Sequence, residues 1–178
     1  MDLPTELIAS VLIFFYKFLY KIGPFFLFIS LVLGIIGLPI PDELLLIGSG
    51  YLVAHQKLNL YTTLLAAILG SMCGITMSYF IGRLIGFFAI KRYGKALNIT
   101  LESILTAKKW FSSIGKWALI LGYYIPLFRH IVGFVAGVTK LDYKYFALFA
   151  YTGALIWSLV FLSIGYFFFE WFEGLFGK

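Results

Sequence analysis

The chain has 178 residues, of which 62% are hydrophobic, 20% aromatic and only 12% charged. This composition, with a mean hydropathy of +0.98, supplies too few polar side chains to cover a water-exposed surface and excludes a soluble globular protein. The net charge of +6 is scattered between apolar segments, so we expect anionic lipid headgroups as its counterpart and no nucleic acid.

The length predicts a single membrane domain, 1–178, and its first segments are too short or too charged to span a bilayer. Residues 5–22 carry Lys17 and Lys21 among large apolar side chains, which predicts a helix lying in the membrane interface. Residues 24–55 contain two short apolar arms joined at a proline-broken bend, Pro39-Ile40-Pro41. This segment predicts a re-entrant hairpin, which enters the membrane and leaves by the same face.

The middle of the chain contains a segment that is long enough to cross the membrane. Residues 58–82 carry no charge, and a helix of this length measures roughly 37 Å against a hydrocarbon core of about 30 Å. We therefore predict a transmembrane helix over residues 58–90. Residues 100–114 open at a plausible cap, Thr100, and hold two lysines beside Trp and Phe, which predicts a second amphipathic surface helix.

The last part of the chain repeats this order. Residues 116–139 are two short apolar arms broken at Pro126, which predicts a second re-entrant hairpin. Residues 145–169 are again uncharged, and we predict a transmembrane helix over residues 143–172.

The two parts are related by a weak internal repeat. A shift of 87 residues superposes Pro39 on Pro126 and Gly50 on Gly137. A shift of 83 residues superposes the following helix, through Leu58-Asn59 on Leu141-Asp142, Gly70 on Gly153 and Gly82 on Gly165. The connectivity makes the second hairpin enter from the opposite face, so the expected fold is all-α with two inverted repeats. Chance matching remains an alternative, because Gly and Leu are abundant in this chain.

Arg129 is the first candidate for a ligand-binding residue. A guanidinium stays protonated, and its fork of donors matches phosphate oxygens; within an apolar hairpin it needs an anionic partner. The alternatives are a structural ion pair with Asp42 or Glu43, or an Arg that reaches to the interface. His130 follows directly and is either a second phosphate donor, a proton carrier or a neutral, internally bonded histidine.

Asp42 and Glu43 follow Pro41, where a helix is expected to begin. The helix dipole alone favours acidic residues in a first turn, so capping explains one of them. The other is a candidate to bind an amine or a proton. Arg83 ends the first transmembrane segment and is either a ligand or an interfacial anchor.

The distribution of Lys and Arg residues along the chain predicts its orientation in the membrane. The face that carries residues 91–116 and 140–144 holds eight Lys and Arg residues against four on the other face. This bias predicts that the richer face is cytoplasmic and that both termini lie outside.

The acidic start of the chain is not typical of a secretory signal, so we expect it to be retained. A lone Cys73 and two histidines offer no metal cage and no nucleophile with a base, so we expect no cofactor and no enzyme.

Several motifs together resemble the DedA family, whose members carry VTT domains. The similarity covers Pro24 to Trp171. Its motifs are Gly37-Leu38-Pro39-Ile40-Pro41-Asp42-Glu43 for G-x-P-x-P-[GS]-[ED], Tyr79-Phe80-Ile81-Gly82-Arg83 for Y-x-[IL]-G-R, and Ile125-Pro126-Leu127-Phe128-Arg129 with Ala136-Gly137 for F-[IL]-P-x-x-R. Trp157 and Gly165-Tyr166 fit the family's last helix.

The resemblance implies a bacterial inner-membrane protein that moves lipids between leaflets, with phosphatidylethanolamine or undecaprenyl phosphate as substrate. Gly34 and Tyr123 or Tyr124 stand where many relatives carry a Glu and an Arg, which weakens the transfer of a proton-coupled mechanism. The pattern Gly-Tyr-x-x-Pro-x-x-Arg-His looks more like the phosphatidylethanolamine-handling branch.

Three functions therefore stay open from the sequence. The leading hypothesis is a flippase or scramblase whose partner is a membrane phospholipid or a polyprenyl phosphate, with Arg129 and His130 on the phosphate and Asp42 or Glu43 on an ammonium. The second is a transporter of small solutes coupled to protons or cations. The third is a membrane-organising protein, and a homo-oligomer is compatible with all three.

Overall fold

The computed structural model describes residues 14, 17–36, 40–93, 109, 117, 119 and 126–176. Within these residues the regular structure is entirely helical, which confirms the expected all-α membrane class. The longer helices in chain order are α1 (Pro24–Ile36), α2 (Asp42–Ala54), α3 (Leu60–Tyr93), α4 (Pro126–Val138) and α5 (Tyr143–Phe176).

Two of these helices are long and apolar enough to cross a membrane. Helices α3 and α5 have 34 residues each, and their apolar stretches, Leu60–Leu84 and Tyr143–Phe167, have mean hydropathies of 1.8 and 1.9. Each stretch has 25 residues, about 37 Å of helix, which exceeds the hydrocarbon thickness of about 30 Å. Helix α3 continues past Arg83 to Tyr93, because charged residues end an apolar stretch without ending a helix.

Both long helices begin at a side chain that caps their N-terminus. Asn59 Oδ1 accepts hydrogen bonds from the backbone N–H groups of Tyr61 at 3.0 Å and Thr62 at 3.2 Å. Asp142 Oδ1 accepts one from the N–H of Tyr145 at 3.0 Å. Such a cap stabilises a helix by about 1 kcal/mol, so both starting points are set locally.

The other three helices are too short to span. Helices α1, α2 and α4 have 13 residues each, or about 20 Å. Helix α1 starts at Pro24, directly after Gly23 with a φ of +69°, and α4 starts at Pro126; proline is favoured at a first helical position. Pro41 directly precedes α2.

Parts of the predicted elements lie outside the described residues. These are the hairpin tip with Pro39, most of the first arm of the second hairpin, most of residues 100–114, and the start of the predicted interfacial helix. Of that interfacial helix, residues 17–22 are helical and both lysines are exposed. The two re-entrant hairpins stay predictions.

The chain divides into two units, and the same kind of close helix crossing is found in each. Unit 1 comprises residues 1–31, 40–70 and 158–178. Within it, a methyl group added at Gly50 of α2 would lie 2.9 Å from the backbone nitrogen of Tyr166, and closer to the carbonyl oxygen of Leu162. A methyl group at Gly165 of α5 would lie 2.7 Å from the carbonyl carbon of Ile47. The two backbones touch, and only glycine fits.

Unit 2 comprises residues 32–39 and 71–157 and has an equivalent crossing of α4 on α3. A methyl group at Gly137 would lie 2.7 Å from the backbone nitrogen of Arg83, and closer to the carbonyl oxygen of Tyr79. One at Gly82 would lie 2.8 Å from the carbonyl carbon of Phe134. Glycines therefore permit a close approach of two helices in both units.

The two crossings use positions related by the shifts found in the sequence. Gly137 follows Gly50 by 87 residues, as Phe134 follows Ile47. Gly165 follows Gly82 by 83 residues, and the same shift relates the remaining contact positions, Leu162 to Tyr79 and Tyr166 to Arg83.

Candidate functional site

Arg129 lies in the first turn of α4 and is buried, with 1% of its surface exposed. The centre of its guanidinium lies 4.8 Å from the ring centroid of Trp157 in α5, which is fully buried. A cation over a tryptophan face gains about 2 kcal/mol when both groups are desolvated. A guanidinium carries five N–H donors, which project from its edge in one plane.

The stack offsets part of the cost of a charge away from water. An ionised group in an apolar environment is expensive unless it is paired, and apart from Arg129 and His130 the residues of helix α4 are apolar. A buried guanidinium with its donors in one plane is suited to bind a phosphate in two-point fashion.

Asp42 and Glu43 lie in the first turn of α2, in unit 1. Asp42 is fully buried, and its backbone N–H donates to the carbonyl oxygen of Ile40 at 2.9 Å. Glu43 is half-buried. The structure thus buries one of the two carboxylates more deeply than the other, as expected for adjacent residues on a helix.

The sequence-predicted site is divided by the unit boundary. Arg129 belongs to unit 2, whereas Asp42 and Glu43 belong to unit 1, so the expected partnership between guanidinium and carboxylate stays a prediction. The backbone of His130 is helical, but its side chain lies outside the described part. Its expected role also stays a prediction.

Arg83 is exposed and makes local contacts within unit 2. It donates hydrogen bonds to the hydroxyl of Tyr79 and, at 3.4 Å, to the carbonyl oxygen of Leu141. The Tyr79 hydroxyl donates to the same carbonyl oxygen at 2.5 Å. Arg83 therefore ties the end of the apolar part of α3 to the turn after α4, which favours the anchoring interpretation over a ligand-binding one.

Aromatic rings fill the space beside the crossing in unit 2. Tyr79 stacks on Phe146 with centroids 4.5 Å apart. Phe80 lies 5.4 Å from both Tyr79 and Tyr143. These four residues form what we call the aromatic cluster, and it packs α3 against the start of α5.

Trp157 is a residue of the candidate site that sequence reasoning missed. The sequence analysis matched it to a family motif and did not recognise it as a neighbour of Arg129. The available signal was its position: tryptophans in membrane proteins concentrate at the interface, whereas Trp157 lies in the middle of the uncharged run of residues 145–169.

Comparison with known proteins identifies relatives. Residues 40–167 match the VTT domain. The uncharacterized membrane protein YbfM of Bacillus subtilis (strain 168) is 39% identical over 165 residues, which cover 93% of this chain and 95% of YbfM.

Two further relatives have names that suggest functions. The alkaline phosphatase-like protein of Lactococcus lactis subsp. cremoris (strain MG1363) is 33% identical over 71% of this chain and 62% of its own length. The undecaprenyl phosphate transporter A of Staphylococcus aureus (strain NCTC 8325 / PS 47) is 26% identical over 84% of this chain and 75% of its own. No solved structure matches this chain.

Proposed function

The chain belongs to the VTT-domain family of bacterial membrane proteins, also called the DedA family, and from that premise we propose that it moves a phosphate-bearing lipid between membrane leaflets. The substrate we propose first is phosphatidylethanolamine. The observation that carries this proposal is the buried guanidinium of Arg129, stacked on Trp157.

In this proposal Arg129 binds the lipid phosphate. The ring of Trp157 contacts the guanidinium and helps to fix its position inside the protein. Charge-assisted hydrogen bonds from such an edge are roughly twice as strong as neutral ones. The acyl chains stay in the lipid while the headgroup passes.

The ammonium group of the headgroup would be bound by a carboxylate. Asp42 is the stronger candidate because it is fully buried, whereas Glu43 is half-buried. Asp42 also stands 87 residues before Arg129, at the equivalent position of the other half. A zwitterionic headgroup fits one acid and one base at equivalent positions.

We also propose that the two halves are inverted repeats, each a re-entrant hairpin followed by a transmembrane helix. The support is the pair of crossings, whose contact positions obey the two sequence shifts, and the short helices α1, α2 and α4. Irregular backbone at membrane depth is tolerated where it lines a cavity, and the positive ends of short helices favour an anionic group.

A second candidate substrate is a polyprenyl phosphate. Two relatives, from Staphylococcus aureus and Bacillus subtilis, carry the name undecaprenyl phosphate transporter A. Arg129 would bind that phosphate equally well, whereas Asp42 would have no ammonium to bind. A proton- or cation-coupled solute transporter, with the carboxylates as carriers, is the remaining alternative.

We propose transport and not catalysis. A guanidinium is neither a nucleophile nor a general base. The chemistry that Arg129 offers is binding, which matches a carrier of a phosphate group.

The test is leaflet exchange in vesicles that contain the purified protein. A phosphatidylethanolamine labelled on its acyl chain reports exchange through the reaction of its amine with an impermeant reagent. Removing charged hydrogen bonds costs about 1.5–3 kcal/mol, so Arg129→Ala should slow exchange by roughly 10- to 150-fold. Lys140→Ala, which removes an exposed basic residue of the same unit, is the control and should exchange normally.

Two outcomes would redirect the proposal. Equal exchange by Arg129→Ala and by the unaltered protein would remove Arg129 from the mechanism. Unchanged exchange together with dissipation of an imposed pH gradient would favour the coupled solute transporter instead.

A further inference from the structure

Unit 1 contains a groove at the position that the aromatic cluster occupies in unit 2. The groove has a volume of about 400 Å³, and its walls include Leu64, Leu159, Ser163 and Phe167. Such a volume lies in the range of small-molecule sites, roughly 300–1,000 Å³. All its lining residues belong to unit 1.

The groove exists because smaller side chains replace rings. The 83-residue shift carries Tyr79 to Leu162 and Phe80 to Ser163. It also carries two positions of unit 1, Leu60 and Thr63, to Tyr143 and Phe146. The backbones cross in the same way in both units, so four aromatic rings in one unit correspond to two leucines, a threonine and a serine in the other.

A second, polar cleft adjoins the groove. It measures about 410 Å³ and is lined by Gln56, Lys57 and Asn59 among others. The cleft and the groove share Val53, Leu60 and Tyr166 as walls, so they lie side by side. A polar cavity and an apolar cavity are thus adjacent within one unit.

The polar cleft lies at the start of the apolar stretch of α3, which is the depth at which lipid headgroups are found. Lys57 is exposed and stands three residues before Leu60, where the apolar stretch of α3 begins. Lysines at such positions lie at the membrane interface. The groove continues from there along α5, and the nine residues from Leu159 to Phe167 span about 12 Å.

We propose that this cleft and groove bind one anionic phospholipid of the membrane, as a second lipid site separate from Arg129. The phosphate lies beside Lys57, and one acyl chain lies in the groove between α3 and α5. The lining residues of the polar cleft include one cation and no carboxylate, so the charge complements an anionic headgroup and offers nothing to an ammonium. The site does not depend on the proposed transport.

Photo-crosslinking to the full chain in vesicles tests this site. The probe is phosphatidylglycerol with a photoreactive diazirine on one acyl chain, and the crosslinked residues are mapped by mass spectrometry. We expect crosslinks at residues 60–64 and 159–167. Ser163→Phe, which introduces the side chain found at the equivalent position Phe80, should reduce them at least five-fold, with Ser163→Leu intermediate.

The headgroup preference has its own control. Lys57→Gln should lower crosslinking of the phosphatidylglycerol probe at these residues and leave a phosphatidylcholine probe unchanged, whereas Lys140→Gln, at the equivalent residue of unit 2, should change neither. Equal crosslinking in Ser163→Leu and the unaltered protein would overturn the proposal that an acyl chain lies in the groove. Equal labelling by both probes, unaffected by Lys57→Gln, would overturn the anionic selectivity.

The crosslinking in the groove does not depend on the proposed transport. Arg129→Ala should leave crosslinking in the groove unchanged, even if it abolishes leaflet exchange. Crosslinking that is lost in Arg129→Ala would show that both observations report one site, and would overturn the proposal of a separate one.

Discussion

The crossing of α2 on α5 predicts opposite effects for two glycines that lie two residues apart. A methyl group at Gly50 would lie 2.9 Å from the nitrogen of Tyr166, and closer to the carbonyl oxygen of Leu162, where ordinary contact begins at 3.4 Å. The backbones of α2 and α5 would have to separate by at least about 0.5 Å, and overpacking of this kind costs roughly 1–3 kcal/mol. A methyl group at Gly48 would have nothing within 4 Å.

Gly48→Ala is therefore the matched control, and it should stabilise the protein by about 0.5–1 kcal/mol, because alanine is a better helix former than glycine. Both substitutions gain this helix propensity, so the two variants should differ by the overpacking cost, about 1–3 kcal/mol. Thermal unfolding in detergent, followed by the loss of helical circular dichroism, measures this as midpoints that differ by roughly 2–12 °C, at about 2–4 °C per kcal/mol for a chain of this size. Equal midpoints for Gly48→Ala and Gly50→Ala would refute the close crossing.

Substitutions at three residues test the candidate site further. Trp157→Leu removes the ring under the guanidinium and should weaken lipid exchange by about 2- to 30-fold, as expected for the loss of 0.5–2 kcal/mol; Trp157→Phe should lose less, and equal rates in all three proteins would contradict the stack with Arg129. Asp42→Asn should slow the exchange of phosphatidylethanolamine more than that of phosphatidylglycerol; equal slowing would indicate a structural ion pair. Arg83→Lys should lower the free energy of unfolding by about 1 kcal/mol or less and leave lipid exchange unchanged. A large loss of exchange would instead identify Arg83 as a ligand-binding residue.

Local signals explain why the long helices could be predicted from the sequence. Uncharged runs of 25 residues identify both apolar stretches, and Asn59 and Asp142 stand where the two helices begin. Helix α3 nevertheless continues to Tyr93, because hydropathy reports where the lipid ends and not where the hydrogen-bonded backbone ends.

The partners of the site residues could not be predicted in the same way. Periodicity says which face of a helix is apolar, but it does not identify the residue on the facing helix. Arg129 was recognised because a charge is conspicuous in an apolar segment, while Trp157, 28 residues later, is an unremarkable aromatic residue until the helices are packed. The two sequence shifts relate Gly50 to Gly137 and Gly82 to Gly165, but only the coordinates show that Gly50 meets the backbone of Leu162 and Gly137 that of Tyr79.

The central claim is that Arg129 binds the phosphate of a lipid. An experimental structure of the protein in nanodiscs of phosphatidylethanolamine tests it most directly. We expect lipid density with a phosphate about 3 Å from the guanidinium nitrogens, while the indole ring of Trp157 stays on the guanidinium face. A guanidinium whose donors are all taken by side chains of the protein, with no lipid phosphate beside it, would contradict the account.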